Sequence, residues 1–190
     1  LPVAFEDATK VVQAFLLSGK EYVCLMQLHE DIAEQRVTDA LAEFTGEIFQ
    51  RPPLRASVKR TVRRRKIYSL DVLEIDGRRV LFKVACQAGT YVRKICSDIG
   101  EVLGCGAHMS ELRRTRAGPF NEDRNLCSMY DLLSAYDHWK LGKGEEELRA
   151  IIRPMEEAFE FIPKIHIRDS AVDAICHGAD LAVPGVVKLD

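Results

Sequence analysis

A hairpin signature in the middle of the chain sets the strongest limit on what this sequence can fold into. Residues 67–75 (IYSLDVLEI) and 79–86 (RVLFKVAC) are rich in β-branched and aliphatic residues. Between them stands Asp76-Gly77, the dipeptide that signals a tight antiparallel turn most strongly. In the second arm Val80, Phe82, Val84 and Cys86 alternate with Leu81 and Lys83, which commits one face to a core. Residues 20–29 repeat the pattern, with Tyr22, Cys24, Met26 and Leu28 on one side of a strand.

Helical spacing occupies the intervals. Val11, Val12, Phe15 and Leu16 mark a helix over 6–18 that stops at Gly19; Val37, Ala40, Leu41 and Phe44 mark one over 34–45, closed by Gly46. After Gly89, Thr90 is the expected N-cap of a helix whose buried stripe is Val92, Ile95, Ile99 and Val102 and which ends at Gly104. Residues 105–120 contain Gly106, Gly118 and Pro119 and read as loop and strand. Amphipathic helices follow at 128–140 and 144–152, then Ile165 and Ile167, a small helix at 169–176 and a Pro184-Gly185 turn. Irregular alternation around a firm hairpin predicts an α+β fold with a mixed or antiparallel sheet, rather than a doubly wound parallel one.

Several classes are excluded by pattern. No stretch approaches the roughly 18 uninterrupted apolar residues of a membrane span, and Glu6-Asp7 follow the first apolar residues too closely for a signal peptide. The six cysteines contain no Cys-x-x-Cys pair and read as reduced, packed thiols, and the five histidines lack metal-ligand spacing, so no metal site is expected. The chain opens on Leu1 without an initiator methionine, which reads as a fragment of a longer protein.

Net charge is only −2, but its distribution is uneven. Residues 50–66 (QRPPLRASVKRTVRRRK) carry eight basic residues and no acid, either an electrostatic footprint for a polyanion or a solvated basic segment balanced elsewhere. Lys59 to Lys66 would present a row of cations just before the hairpin, suited to successive phosphates. Arg93 falls in the first turn of a helix beside its buried stripe. It either meets a carboxylate or phosphate, snorkels to solvent, or pairs with Asp98 or Glu101. Leu112-Arg113-Arg114-Thr115-Arg116, after the glycines of 104–106, is a second arginine cluster. Residue patterns alone support an RNA- or DNA-binding α+β domain.

Five segments together carry a resemblance. GTYVRK at 89–94 and GCGAHMSELRRTRAGPF at 104–120 resemble the later motifs of the pseudouridine synthase family that contains dyskerin and the bacterial T-loop tRNA synthase. KEYVCLMQLH at 20–29 resembles its tyrosine-bearing strand, and FTGEIFQRPPLRASVKR at 44–60 its lead into an RNA-gripping segment. DSAVDAICHGADLAVPGVVKL at 169–189 resembles the start of a PUA domain. The long basic segment is more similar to the archaeal and eukaryotic branch than to the bacterial one, with the archaeal type favoured.

The resemblance implies a catalytic domain over 1–160 lacking its N-terminal part, and the beginning of a PUA domain over 164–190. It implies isomerisation of uridine to pseudouridine in rRNA or tRNA, without cofactor, on a base flipped out of the RNA. Tyr22 corresponds to the tyrosine stacked on that base, and Arg93 to the arginine paired with the nucleophilic aspartate. The aspartate itself belongs to a Gly-x-Leu-Asp-type motif that precedes a Leu-Pro-Val-Ala segment, so this chain as it stands is expected to be inactive. Arg51, Lys59, Arg60, Arg63, Arg64 and Arg65 would grip RNA; Leu112 would lie against the base, with Arg113 and Arg114 near the backbone. Expected partners are substrate RNA, an H/ACA guide RNA and the small accessory proteins of that particle, in the cytoplasm or, in a eukaryote, the nucleolus. The alternatives are a stand-alone tRNA T-loop synthase, a non-catalytic RNA-binding subunit of the same fold, and an unrelated RNA-binding domain.

Overall fold

Strand alternation builds the body of the molecule. The computed structural model describes residues 2–52 and 59–190. A 3-10 turn over Glu6–Val11 leads into α1 (Val12–Leu16), β1 (Lys20–Leu28), α2 (Glu34–Glu43), β2 (Gly46–Gln50), β3 (Arg63–Asp76), β4 (Arg79–Cys86), α3 (Val92–Leu103) and β5 (Ala107–Ala117). Then come β6 (Phe120–Asn121), α4 (Glu122–Asn125), α5 (Met129–Lys140), α6 (Glu146–Ile151), β7 (Ile165–Ile167), α7 (Asp169–Cys176) and β8 (Val186–Leu189). One sheet has the order β2-β3-β4-β1-β5-β6, with every neighbouring pair antiparallel, and β7 pairs with β8 in a second sheet. Among the described residues, no helix is long and apolar enough to cross a membrane.

The hairpin closes with Asp76 opposite Arg79, so its two loop residues are Gly77 and Arg78. Gly77 has φ 54°, at the first loop position, where such turns require the left-handed region. The arm begins earlier than its apolar run suggests. Pairing with β2, from Gly46 opposite Ile67 to Gln50 opposite Arg63, extends β3 through the RRRK segment. Arg55, another cation of the basic stretch, lies outside the described residues.

Helices α2 and α3 cover one face of the sheet. Cys24, Met26, Leu28, Val80, Phe82 and Val84 meet Val37, Leu41, Ile95, Cys96 and Ile99 there, all essentially inaccessible. Burying each large aliphatic or aromatic side chain contributes about 1.5–3 kcal/mol. On α3 the buried line runs through Val92, Cys96, Ile99 and Leu103, while Val102 is 57% exposed. At 3.6 residues per turn, Val102 falls off the edge of that line, so the expected stripe is corrected there. Thr90 is not the N-cap either: Tyr91 holds that position, and the Thr90 hydroxyl donates to the Gln87 carbonyl at 2.7 Å.

Two further elements differ from expectation. Residues 107–117 form one long strand, because β1 supplies cross-strand partners along it despite its charged SELRRTR run. The expected N-terminal helix splits into a 3-10 turn and the five-residue α1.

Gly100 decides how closely α3 approaches β5. A Cβ there would sit 2.1 Å from the Ala107 backbone nitrogen and 2.8 Å from the Ala107 Cβ. Backbone cannot yield as a flexible side chain would, so Gly100→Ala in the full-length protein should lower stability by about 3 kcal/mol despite alanine's better helix propensity. Urea unfolding measures it; a stabilised variant would contradict the close approach.

Candidate functional site

One end of the sheet gathers charged and aromatic groups. There β1 begins, β4 and β5 end, and the 87–91 loop delivers the chain to α3. Lys20 stands opposite Cys86 on one side and Ala117 on the other. Helix α3 starts beside this end and runs to the opposite one, where the Gly106 carbonyl accepts from the His29 N–H.

Register brings the first residues together. Tyr22 pairs with Val84 in β4 and with Arg114 in β5, while Cys24 pairs with Leu112. Residues directly opposite share a face, so Tyr22, Leu112 and Arg114 lie on the helix-covered side of the sheet. A register shift next to Tyr22 leaves Thr115 as an extra residue in β5, an irregularity that re-aims its neighbours. The Arg114 guanidinium carbon lies 5.4 Å from the centre of the Tyr22 ring, a cation–π contact. Tyr22 is half-buried and Leu112 is 41% exposed, so the apolar face continues outward beyond the core.

Lys20 belongs to this cluster, although residue pattern alone did not single it out. The KEYVC alternation places it on the face of Tyr22 and Cys24, which was the available signal. Its Nζ donates to the Leu16 carbonyl at 3.1 Å and the Ser18 carbonyl at 2.9 Å. Burial, reinforced by the Arg114 charge, holds its pKa below the usual lysine value. Burial likewise pushes the facing Cys86 thiol up.

Arg93 sits in the first turn of α3 at the same end and is exposed. No acid among the described residues pairs with it: Asp98 is engaged by Lys94. No hydrogen bond or ring contact joins Arg93 to Tyr22 among the described residues. The helix start itself is held by Gln50, whose side chain, unlike that of Lys20, is marked by no periodicity in the sequence. Gln50 is 2% exposed; its Nε2 donates to the Tyr91 carbonyl at 3.1 Å and its Oε1 accepts from the Tyr91 N–H at 2.9 Å.

The basic segment is not a single row. Along β3, Arg63 and Arg65 share the face of Ile67, and Arg64 and Lys66 point the other way. Arg63 donates to the Lys59 carbonyl at 3.3 Å, and Arg64 pairs with Glu47 at 3.3 Å. Arg65 donates to the carbonyls of Gly89 (3.2 Å) and Arg64 (2.8 Å), which ties the strand to the loop before α3. Arg60 reaches the Pro52 carbonyl at 3.4 Å, whereas Arg51 and Lys59 are exposed. Arg113 pairs with Glu122 at 2.7 Å, so of the two neighbouring arginines it is Arg114 that faces Tyr22. Among the described residues, no group of three or more His, Cys, Asp or Glu side chains is placed to hold a metal ion.

Comparison with known proteins matches this geometry to a family. Residues 1–92 match the model of the TruB family pseudouridylate synthase N-terminal domain, 93–160 that of the tRNA pseudouridylate synthase B C-terminal domain, and 163–190 that of the PUA domain. The probable tRNA pseudouridine synthase B of Methanopyrus kandleri is 58% identical over 190 residues, and that of Thermococcus kodakarensis 60% over 189. Each match covers all of this chain and 56% of the relative, so the chain spans little more than half the length of these proteins. Among solved structures, a Cbf5-Nop10-Gar1 complex aligns with TM-score 0.94 at 58% identity, covering 100% of this chain and 57% of that one. An H/ACA RNP bound to a substrate RNA containing 2'-deoxyuridine aligns with TM-score 0.88 at 54% identity, covering 98% and 56%.

The Lys20–Arg114 proximity can be measured directly. Arg114→Gln removes a positive charge that disfavours protonated Lys20, so the Lys20 pKa should rise toward the ordinary lysine value. Carbon-13 NMR of labelled lysine reads it; an unmoved Lys20 titration would contradict the arrangement.

Proposed function

Because this chain belongs to the TruB family of pseudouridylate synthases, we propose that the full-length protein isomerises uridine to pseudouridine in RNA as the catalytic subunit of an H/ACA guide-RNA particle. The observation that carries this reading is the gathering at one sheet end of Tyr22, Leu112 and Arg114 with Arg93 of α3, which has no acidic partner among the described residues. In this reading, 1–160 is part of the catalytic domain and 164–190 begins a PUA domain.

Each group has a role that its setting suits. A uracil flipped from the strand needs an aromatic surface and an apolar wall, which Tyr22 and Leu112 offer. Arg114, lying over the Tyr22 ring, offers a cation to the RNA backbone next to that surface. Isomerisation needs a nucleophile that stays ionised, which an aspartate does when an arginine neutralises it. Arg93 meets that need, with the aspartate supplied by another segment of the longer protein. Arg63, Arg64 and Arg65 lie along β3, and Arg51, Lys59 and Arg60 come before it, where contacts to phosphates give affinity without reading sequence. Guide RNA would supply that reading, and the accessory proteins named in the related complexes would complete the particle.

A second reading is a stand-alone tRNA synthase, favoured by the name that the Methanopyrus and Thermococcus relatives carry. The full-length protein separates the two: guide-dependent pseudouridine formation supports the particle, and formation on bare tRNA the second reading. RNA binding with no isomerisation under either condition would make it a scaffold and overturn both.

Arg93→Ala in the active full-length protein should lower turnover about 1000-fold, while the RNA Kd stays within about twofold because phosphate contacts elsewhere set affinity. Single-turnover assays and filter binding check it; undiminished turnover would refute the pairing role.

A further inference from the structure

We infer that Gln50 is a positioning residue for the proposed reaction: its buried amide locks the start of α3, and thereby Arg93, to the strand pair that carries the basic segment. The inference rests on the pseudouridine synthase reading above. Gln50 and Ser18 are the polar side chains buried among the described residues. The Gln50 carboxamide makes its two hydrogen bonds to one residue, Tyr91, donating to its carbonyl and accepting from its N–H. That pairing repeats the donor–acceptor pattern of a peptide group, and a neutral amide satisfies both sides where a methylene chain satisfies neither.

Both ends of this lock are placed to matter. Tyr91 is the N-cap of α3 and has no side-chain cap; its carbonyl also accepts the helix's first bonds, from Lys94 at 3.0 Å and Ile95 at 3.2 Å. Arg93 follows two residues later. At the other end, Gln50 closes β2, pairs with Arg63 in β3 and precedes Arg51. Arg65, donating to the Gly89 carbonyl, is a second tie between the same strand and the same loop. A strand that holds RNA phosphates and a helix that presents the aspartate's arginine thus share one buried amide. Removing it leaves both elements in place through their apolar contacts but frees the first turn of α3 to shift, and a shift near 1 Å costs about 100-fold in rate.

The test uses the full-length protein, assayed for turnover and RNA binding as a function of pH, with thermal unfolding at the same pH values. Gln50→Met should lower kcat about 100-fold with KM and RNA Kd little changed. Gln50→Glu adds a pH signature. Protonated, its carboxylic acid donates and accepts as the amide does; ionised, it can only accept and opposes the Tyr91 carbonyl. Burial raises a carboxylic acid's pKa, so kcat should approach wild type at the acid end and fall as pH rises, a dependence absent from the parent. If Gln50→Met does not fold, the Gln50→Glu profile still decides. Wild-type kcat at every pH in folded variants, or a loss confined to RNA affinity, would overturn the inference alone. A wild-type protein that does not isomerise uridine would overturn the functional reading and the inference with it.

Discussion

The antiparallel register of β1 against β4 and β5 is the constraint on which the rest of this structure depends. Side chains alternate between faces with a period of two, so a one-residue slip would turn Cys24, Met26 and Leu28 out of the core. The same slip would turn Tyr22 away from Arg114. Core and site are therefore specified by one set of backbone pairings. Where α2 and α3 cover the face, the alternating residues are apolar and inaccessible; at the end where β1 begins, the same face carries Lys20, Tyr22, Leu112 and Arg114.

Helix α3 links the two regions. Its apolar line anchors it over the sheet, and Gly100 lets it lie close against β5. That leaves its first turn, with Arg93, at the charged end. Charge there is organised by what each cation already touches. Arg64 and Arg113 are matched by Glu47 and Glu122, while Arg93 has no such partner among the described residues. Burial first, and the nearby Arg114 charge second, hold the Lys20 pKa below the usual lysine value there.

Much of the fold was legible because its signals are local. The hairpin, β1, α2 and the core line of α3 follow from alternation, helical spacing and glycine stops within about ten residues. Val102 lies where two helical stripes overlap in the sequence, and packing of α3 against β5 selects the one that runs through Leu103. The strand at 107–117 was obscured because its pairing partner β1 is remote in sequence and its own charges mimic a loop. The basic run reads as one row when written on a line, yet a strand splits it between two faces. For the site, Arg93 carries a local signal in its place beside the buried stripe of α3, while the roles of Tyr22 and Arg93 come only from the family resemblance. Lys20 carried a signal in its alternation with Tyr22. Gln50 had none: its importance comes from a contact with Tyr91, 41 residues away, that no periodicity encodes.

In the proposed reaction the sheet end at Tyr22, Leu112 and Arg114 receives the target base. Photocrosslinking tests it most directly, using RNA with a single 5-bromouridine at the target position, the full-length protein and peptide mapping by mass spectrometry. Crosslinks should fall within residues 20–28 and 107–117, led by Tyr22. Crosslinks confined to the opposite end of the sheet around His29, or to residues 163–190, would contradict it.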